Sequence, residues 1–449
     1  MAKKEIAPQS ESALRHLTQG GLQTFAVKVM AVGLGFASQM LLSRLLGKAD
    51  YGEFAFAVTT MQFLVIAAVL GADSVATRFV AKYHDSPAQM LTHIGWLNQR
   101  TLRISVAIAI TGVLLLQFIY VFNPRMIWIS TQLILVALPI QAFAIIRQGI
   151  LRGLQKPVLS IIPEGILRPF FTIKFSLAFV FLIGTTSQQS SFTNQFESRH
   201  AVIVYILVTV VALIASQIFL NWFLPQKTEK TLSKASSAAE IRRWKSMALA
   251  SMFSAFAMTI HSQSDVWMLG VLTKAETVGS YSVAARYAGF VIFGINAMNA
   301  ALGPLVAKFA HDRIALQRLV TQSTNLSFVI ATASGVWLIC FPEWLLNLFG
   351  SGFDDATLSL KILVAANWFN VGCGSVGLLL SMTGNHQIFM KILMSSVFLN
   401  IFLNITLIPF FGMTGAAVAT AASIVYWNLA ALVAVKIRLK IRPTIGALI

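Results

Sequence analysis

Charge is scarce in this chain. Asp, Glu, Lys and Arg make up 11% of its 449 residues, and 57% of the residues are hydrophobic. A soluble domain carries about 25% charged residues, so the balance excludes one. Acids are the scarcer sign, 16 against 34 Lys and Arg, for a net charge of +18. Cysteine is nearly missing. Cys340 and Cys373 both fall inside or at the edge of apolar runs, and without metal-ligand spacing around them they read as packing residues, not a disulfide or metal pair. No G-x-x-x-x-G-K-[ST] and no G-x-G-x-x-G behind a strand occurs. That removes ATP-driven transport by this chain alone. A nucleophile elbow and Cys/His metal spacings are absent as well, so neither an enzyme nor a cofactor is expected. The ten-residue alternating segments of an outer-membrane barrel are missing. So are long polar stretches. The longest loops on the outer side, about 184–200 and 342–356, are too small to hold an extracytoplasmic active site.

What the chain has is long apolar runs, each of about 20 residues and so long enough to cross about 30 Å of hydrocarbon as a helix. Twelve spans are predicted, near 18–43, 52–72, 102–122, 126–146, 160–183, 201–224, 247–272, 280–302, 322–341, 357–382, 388–410 and 413–435. The first is too long for a cleavable signal peptide, and no small-residue cleavage pattern follows it. With the N-terminus inside, most of the 34 Lys and Arg fall on cytoplasmic segments. This positive-inside asymmetry sets topology, places both termini in the cytoplasm and draws the chain to anionic membrane lipids. It also accounts for the net charge without nucleic acid as a partner. The fold class is therefore all-α and polytopic, with residues 1–224 as a six-helix bundle, 225–246 as a basic cytoplasmic linker and 247–449 as a second six-helix bundle.

The chain repeats itself. Leu42-Ser43-Arg44-Leu45-Leu46-Gly47-Lys48-Ala49-Asp50-Tyr51-Gly52-Glu53-Phe54 joins two apolar runs, and Leu269 through Tyr281 does the same later. Gly52 and Gly279 hold the same place in the two copies, each followed two positions on by an aromatic. Val80-Ala81-Lys82 and Val306-Ala307-Lys308 close the two hairpins. Matching halves in a membrane chain point to a secondary transporter with two bundles facing each other across a pathway.

Ionisable residues inside spans carry the remaining signal, because charge in hydrocarbon costs several kcal/mol. They are Lys28, Glu164, Arg168, Lys174, His261, Asp265, Arg286 and Lys361. Asp265 and Arg286 flank the turn near Glu276 at similar depth, so they either pair and fix helix register or present charges to a cavity. His261 lies one turn before Asp265 on the same face, where the two can exchange a proton or stay packed. Glu164 and Arg168 have the spacing of an intrahelical pair. Lys174 is then unpaired near mid-span, and Lys28 has no carboxylate in its own span. Lys361 is close enough to a span end to snorkel. Five basic residues against two acids suit an anionic substrate. Pro163 and Pro169 bracket the charged part of the fifth span, Pro139 interrupts the fourth and Pro304 ends the eighth, each removing a backbone hydrogen bond. Asn367, Asn370, Asn400 and Asn404 place amides on faces of two spans for interhelical hydrogen bonds.

The string Leu42 to Gly52 resembles the "A-R-L-L-G-x-x-x-Y-G" signature of bacterial polysaccharide transporters of the O-antigen flippase type. Asp265 through Gly279-Ser280-Tyr281-Ser282-Val283-Ala284-Ala285-Arg286 is similar to the same family's "D-x-x-x-[IL]-G … G-x-Y-x-x-A-x-R" hairpin, and Leu151-Arg152-Gly153-Leu154-Gln155 to its "L-R-G-x-x" turn. The match runs along essentially the whole chain. It implies a MATE-like, V-shaped pair of six-helix bundles in the bacterial inner membrane, with alternating access through a cationic cavity. The implied cargo is an undecaprenyl-pyrophosphate-linked oligosaccharide. The implied protein partners are a glycan polymerase and a chain-length regulator. Lys28, Lys174, Arg168 and Arg286 would hold the phosphates, and Asp265 with His261 would couple to an ion. At Lys28 the family more often has Arg. A drug/cation antiporter of this fold would favour acidic cavity residues, and a membrane-embedded glycan polymerase would need a large outer loop.

Overall fold

The computed structural model describes residues 7–122, 128–186, 196–224, 238–309 and 312–446. The joint between spans three and four, at Asn123-Pro124-Arg125, and most of the linker predicted over 225–246 lie outside the described residues. Every regular element among those described is helical. α1 (Ala7–Val69) is 63 residues long, about 95 Å if straight, which is far more than one membrane crossing. It turns back at Gly47, whose φ of 71° and ψ of 179° lie in a region that only glycine enters cheaply. α16 (His386–Leu439) behaves alike at Gly412, with φ 55°. Each therefore holds two of the predicted spans.

Between them run α2 (Ala72–Lys82), α3 (Pro87–Phe122), α4 (Trp128–Ile134), α5 (Leu138–Gly153), α6 (Pro157–Ile162), α7 (Arg168–Thr186), α8 (Ser198–Phe223), α9 (Ala238–Leu272), α10 (Ala275–Ala288), α11 (Phe293–Lys308), α12 (Arg313–Cys340), α13 (Pro342–Asn347), α14 (Thr357–Gly372) and α15 (Val376–Met382). Seven helices among the described residues are long and apolar enough to cross a membrane, or nine spans with two bent pairs counted as one each, α10 with α11 at 51° and α14 with α15 at 44°. The turns at Gly47 and Gly412 divide two of those nine. The 35-residue α9, which covers the seventh predicted span, is long enough to cross but is not among the helices that are also apolar enough.

Span eight is straight in the sequence reading but broken in the structure, at Gly289–Ile292 between α10 and α11. A break inside hydrocarbon frees carbonyls that need donors. One is supplied by Asn367, whose amide donates to the Ala288 carbonyl at 3.0 Å. Pro139 has its own consequence, a 3₁₀ turn at Leu135–Ala137 joining α4 to α5.

The elements α1 to α8 pack on one another, as do α9 to α16, and α1 makes the largest contacts between the two sets, with α10 and α9. The repeated glycines meet there. A Cβ on Gly52 would stand 1.8 Å from the Ala275 carbonyl oxygen, and one on Gly279 would stand 2.3 Å from that of Lys48. With the two copies aligned on Gly52 and Gly279, Lys48 falls opposite Ala275. Each repeat thus offers the other the same carbonyl and the same glycine, as across a two-fold axis. The end of the molecule that holds this junction is called the hairpin face below. The second part of α1 also runs along α9, with Phe63 edge-on to Phe256 and Trp267.

A segment of the second half clasps the first hairpin. Ser43 Oγ donates to the Phe349 carbonyl at 2.8 Å and Arg44 Nε to the Leu348 carbonyl at 2.6 Å. Lys48 pairs with Asp355, and Tyr51 stands edge-on to Phe353. On the other side of the hairpin, Asp50 accepts from the Ser198 N–H at 3.0 Å and Glu53 from its hydroxyl at 2.6 Å, which pins the start of α8.

Gly279→Ala should therefore lower thermal stability in detergent by about 1–3 kcal/mol or more, because its methyl has to displace backbone. Gly33→Ala, with nothing within 4 Å of its Cβ position, should raise stability by up to about 1 kcal/mol. Equal melting temperatures for the two variants would remove the glycine junction as a structural constraint.

Candidate functional site

A cavity of about 440 Å³ lies where the two halves meet, lined by α1, α7 and α8 from one side and α9 and α10 from the other. Its charged lining residues are Arg168, Arg286 and Glu164, two cations against one anion. Uncharged hydrogen-bonding groups complete it, among them Gln39, Gln62, Tyr205 and Gln263.

The fifth span brings Glu164 and Arg168 to this wall through a π turn, Pro163–Leu167. Pro163 cannot donate a backbone hydrogen bond, and neither can Pro169, so the helix between them is free to widen. Arg168 Nη1 then donates to Glu164 Oε2 at 2.6 Å, and its guanidinium lies over the Tyr205 ring at 4.1 Å. The four-residue spacing thus closes as an intrahelical pair inside the cavity. Arg286 sits three residues before the break after α10. Its Nη2 donates to Gln39 Oε1 at 3.3 Å, a neutral partner from the other half, so its charge is not offset by a carboxylate there.

Asp265 and Arg286 do not pair. Asp265 is buried and accepts from Tyr281 Oη, from Thr420 Oγ1 at 3.2 Å and from the Val266 N–H at 3.1 Å. Behind it, Ser264 donates to Asn400 Oδ1 at 2.7 Å, Asn404 donates to the same oxygen at 2.9 Å, and Asn400 Nδ2 donates to Thr420 Oγ1 at 3.3 Å. Of the amides predicted to bond between helices, Asn400 does so with Ser264, whereas Asn404 bonds Asn400 within its own helix. The result is a buried carboxylate held by hydroxyls and amides, with no cationic side chain bonded to it among the described residues. His261, one turn away, is edge-on to Trp427 at 6.4 Å, and its Nδ1 is buried without a hydrogen-bond partner. It makes no hydrogen bond to Asp265 in the structure.

Lys28 and Lys174 are exposed and do not line the cavity. Lys28 is one turn before Ala31, which does. The cavity therefore gathers two of the four cations read from the sequence. The groups that reading passed over are uncharged: Gln39, Tyr205, Tyr281 and Thr420. Their signal was present as polar side chains within apolar runs.

The sequence profile described as "Polysaccharide biosynthesis protein" matches residues 17–310. The chain belongs to the polysaccharide biosynthesis protein family. A second profile, MatE, matches residues 250–406. Among curated proteins, a probable low-salt glycan biosynthesis flippase of Haloferax volcanii is 26% identical over 176 residues, 38% of this chain and 37% of that protein. The match thus spans little more than a third of that relative. Among solved structures, the inward-facing conformation of a multidrug resistance MATE family transporter superposes with a TM-score of 0.71 at 15% identity, over 94% of this chain and 98% of the other. The lipid II flippase MurJ in an inward closed conformation gives 0.68 at 14%, over 93% and 87%. This member of the polysaccharide biosynthesis protein family is thus a multi-pass helical membrane protein with the MATE and MurJ fold.

If the cavity is aqueous, thiols placed along α9 will show it. In a background with Cys340→Ser and Cys373→Ser, Ser262→Cys, exposed at the cavity wall, should react with a water-soluble maleimide. Ser264→Cys, buried against Asn400, should not. Equal reactivity of the two would mean the wall is misplaced.

Proposed function

We propose that this protein moves a lipid-linked glycan across a membrane by alternating access, with the central cavity holding the anionic linkage of the cargo. The observation that carries this reading is Arg286 facing the cavity with only a neutral partner among the described residues, beside an Arg168 that is already organised by Glu164 and Tyr205. A guanidinium without a carboxylate partner keeps donors for phosphate oxygens, and charge-assisted bonds of that kind are about twice as strong as neutral ones. Arg168 would add a second, preset cation. Family membership and the curated flippase relative support the cargo class. The finer version is an undecaprenyl-pyrophosphate-linked repeat unit of an O-antigen, capsule or exopolysaccharide, carried from the inner to the outer leaflet of a bacterial inner membrane with both termini cytoplasmic. The two six-helix halves, 1–224 and 247–449, would then be the bodies that rock. In that orientation the hairpin face is the outer face. A polymerase and a chain-length regulator would act on the product. Lys28 and Lys174 would meet headgroups or cargo outside the cavity walls.

The ion-coupling step belongs to Asp265. A buried carboxylate without a cation costs several kcal/mol unless it binds a proton or a metal cation. Hydroxyl oxygens from Tyr281 and Thr420 stand against it. Filling and emptying this site would bias the packing of α9, α10 and α16 against one another. His261, edge-on to Trp427, would contribute by position.

Glycan export in cells with Arg286→Ala, at matched membrane levels, should fall about tenfold or more, the cost of one bond to a charged group. Lipid-linked precursor should accumulate inside, while Lys361→Ala exports normally. Normal export by Arg286→Ala with altered sensitivity to cationic drugs would favour a drug/cation antiporter. For coupling, Asp265→Asn should remain folded but make transport indifferent to collapse of the proton or sodium gradient. Unchanged gradient dependence would remove Asp265 from the coupling step.

A further inference from the structure

Gln39 is the point where cavity and closure touch. It lies on α1, lines the cavity, and its Oε1 accepts two hydrogen bonds, from Tyr51 Oη at 3.3 Å and from Arg286 Nη2 at 3.3 Å. Tyr51 belongs to the repeated hairpin sequence, is fully buried and stands edge-on to Phe353 of the clasping segment. Two residues on, the same clasping segment ends at Asp355, which pairs with Lys48. One carboxamide oxygen thus links the unpaired cavity cation of the second half to the aromatic that seals the hairpin face in the first.

We propose that Gln39 is a positioning residue that couples cargo binding to opening of the hairpin face. This rests on the reading of the cavity as the site of an anionic cargo. In the closed state Arg286 spends a donor on Gln39, and that bond joins the two halves. A phosphate oxygen in the cavity competes for the same guanidinium, and the charged acceptor wins over the neutral amide. Gln39 then keeps Tyr51 alone, and the closure loses one cross-half bond. Cargo therefore prefers the state in which that bond is already broken, which is what a ligand needs in order to shift a two-state equilibrium. Removing one long hydrogen bond, 3.3 Å between a guanidinium and a neutral amide oxygen, shifts such an equilibrium about fivefold.

The sequence offers no counterpart of this link in the other repeat. With the copies aligned on Gly52 and Gly279, Gln39 falls opposite Val266 and Tyr51 opposite Val278. The relay is thus specific to the first half, and a twin in the second cannot substitute for it.

The test places cysteines at Lys48→Cys and Asp355→Cys in a background with Cys340→Ser and Cys373→Ser, and reads closure as the yield of a short bifunctional thiol cross-link in vesicles. The probe is undecaprenyl diphosphate, with binding measured separately on the same preparations. Cross-linking should fall about fivefold on adding probe when Gln39 is present. With Gln39→Leu the probe should still bind, but the yield should change little. Gln39→Glu, whose carboxylate would pair with the Arg286 guanidinium and not yield to a phosphate oxygen as the neutral amide does, should keep the yield high when probe is added. A Gln39→Leu protein whose yield falls as much as that of the Gln39 protein overturns the relay while leaving the cargo reading intact. A Gln39 protein that does not bind the probe overturns both.

Discussion

The structure depends on a contact between two backbones. Gly52 against Ala275 and Gly279 against Lys48 bring the two repeats together at distances that no side-chain carbon would survive. Inside a membrane there is little hydrophobic force between helices, so close packing of small residues has to do the joining. Because the two contacts are copies of one another in the aligned repeats, the same short sequence acts as both faces of the joint. Everything at the hairpin face builds on that joint. The clasp over Ser43, Arg44 and Lys48 caps it, Phe36 wedges between Tyr287, Phe290 and Phe349 below it, and the cavity begins beneath.

The same closeness explains why the cavity can hold charge. Walls from both halves converge below the joint, so Arg168 of one half and Arg286 of the other face one space. Each is restrained in a different way. Arg168 is locked by an ion pair and an aromatic face; Arg286 hangs on one long bond to a neutral amide. The first is ready-made electrostatics and the second is an exchangeable partner.

Much of the fold was legible as sequence because span length and glycine placement are one-dimensional properties. The turns at Gly47 and Gly412 and the paired repeats fall where the sequence puts them. The break at Gly289–Ile292 was not legible. There the Ala288 carbonyl accepts from the Val291 N–H and from Asn367, a donor far along the chain on α14. Site residues were read by depth, which residue counting supplies, whereas lining a cavity also depends on azimuth, which changes by about 100° per residue. Hence Asp265 and Arg286 share a depth yet take separate partners, and Lys174, less than two turns after Arg168, leaves the wall that Arg168 joins. Gln39, Tyr281 and Thr420 escaped because a search for charge does not see the neutral groups that hold it.

The repeat is symmetric in packing and asymmetric in chemistry. In the alignment that sets Gly279 on Gly52, Asp265 and Tyr281 fall on Ser38 and Phe54, residues without the proton-binding chemistry of the buried pair. Symmetric packing suits a device that must open both ways, since two arrangements of like halves differ little in energy. Such a device by itself favours neither direction and moves nothing uphill, because a ligand shifts it only by differential affinity. Direction has to enter through a group present once. In the proposed reading the buried carboxylate of the second half and the Gln39 link of the first are those groups, one answering to an ion and one to the cargo, and they meet the symmetric joint from opposite sides.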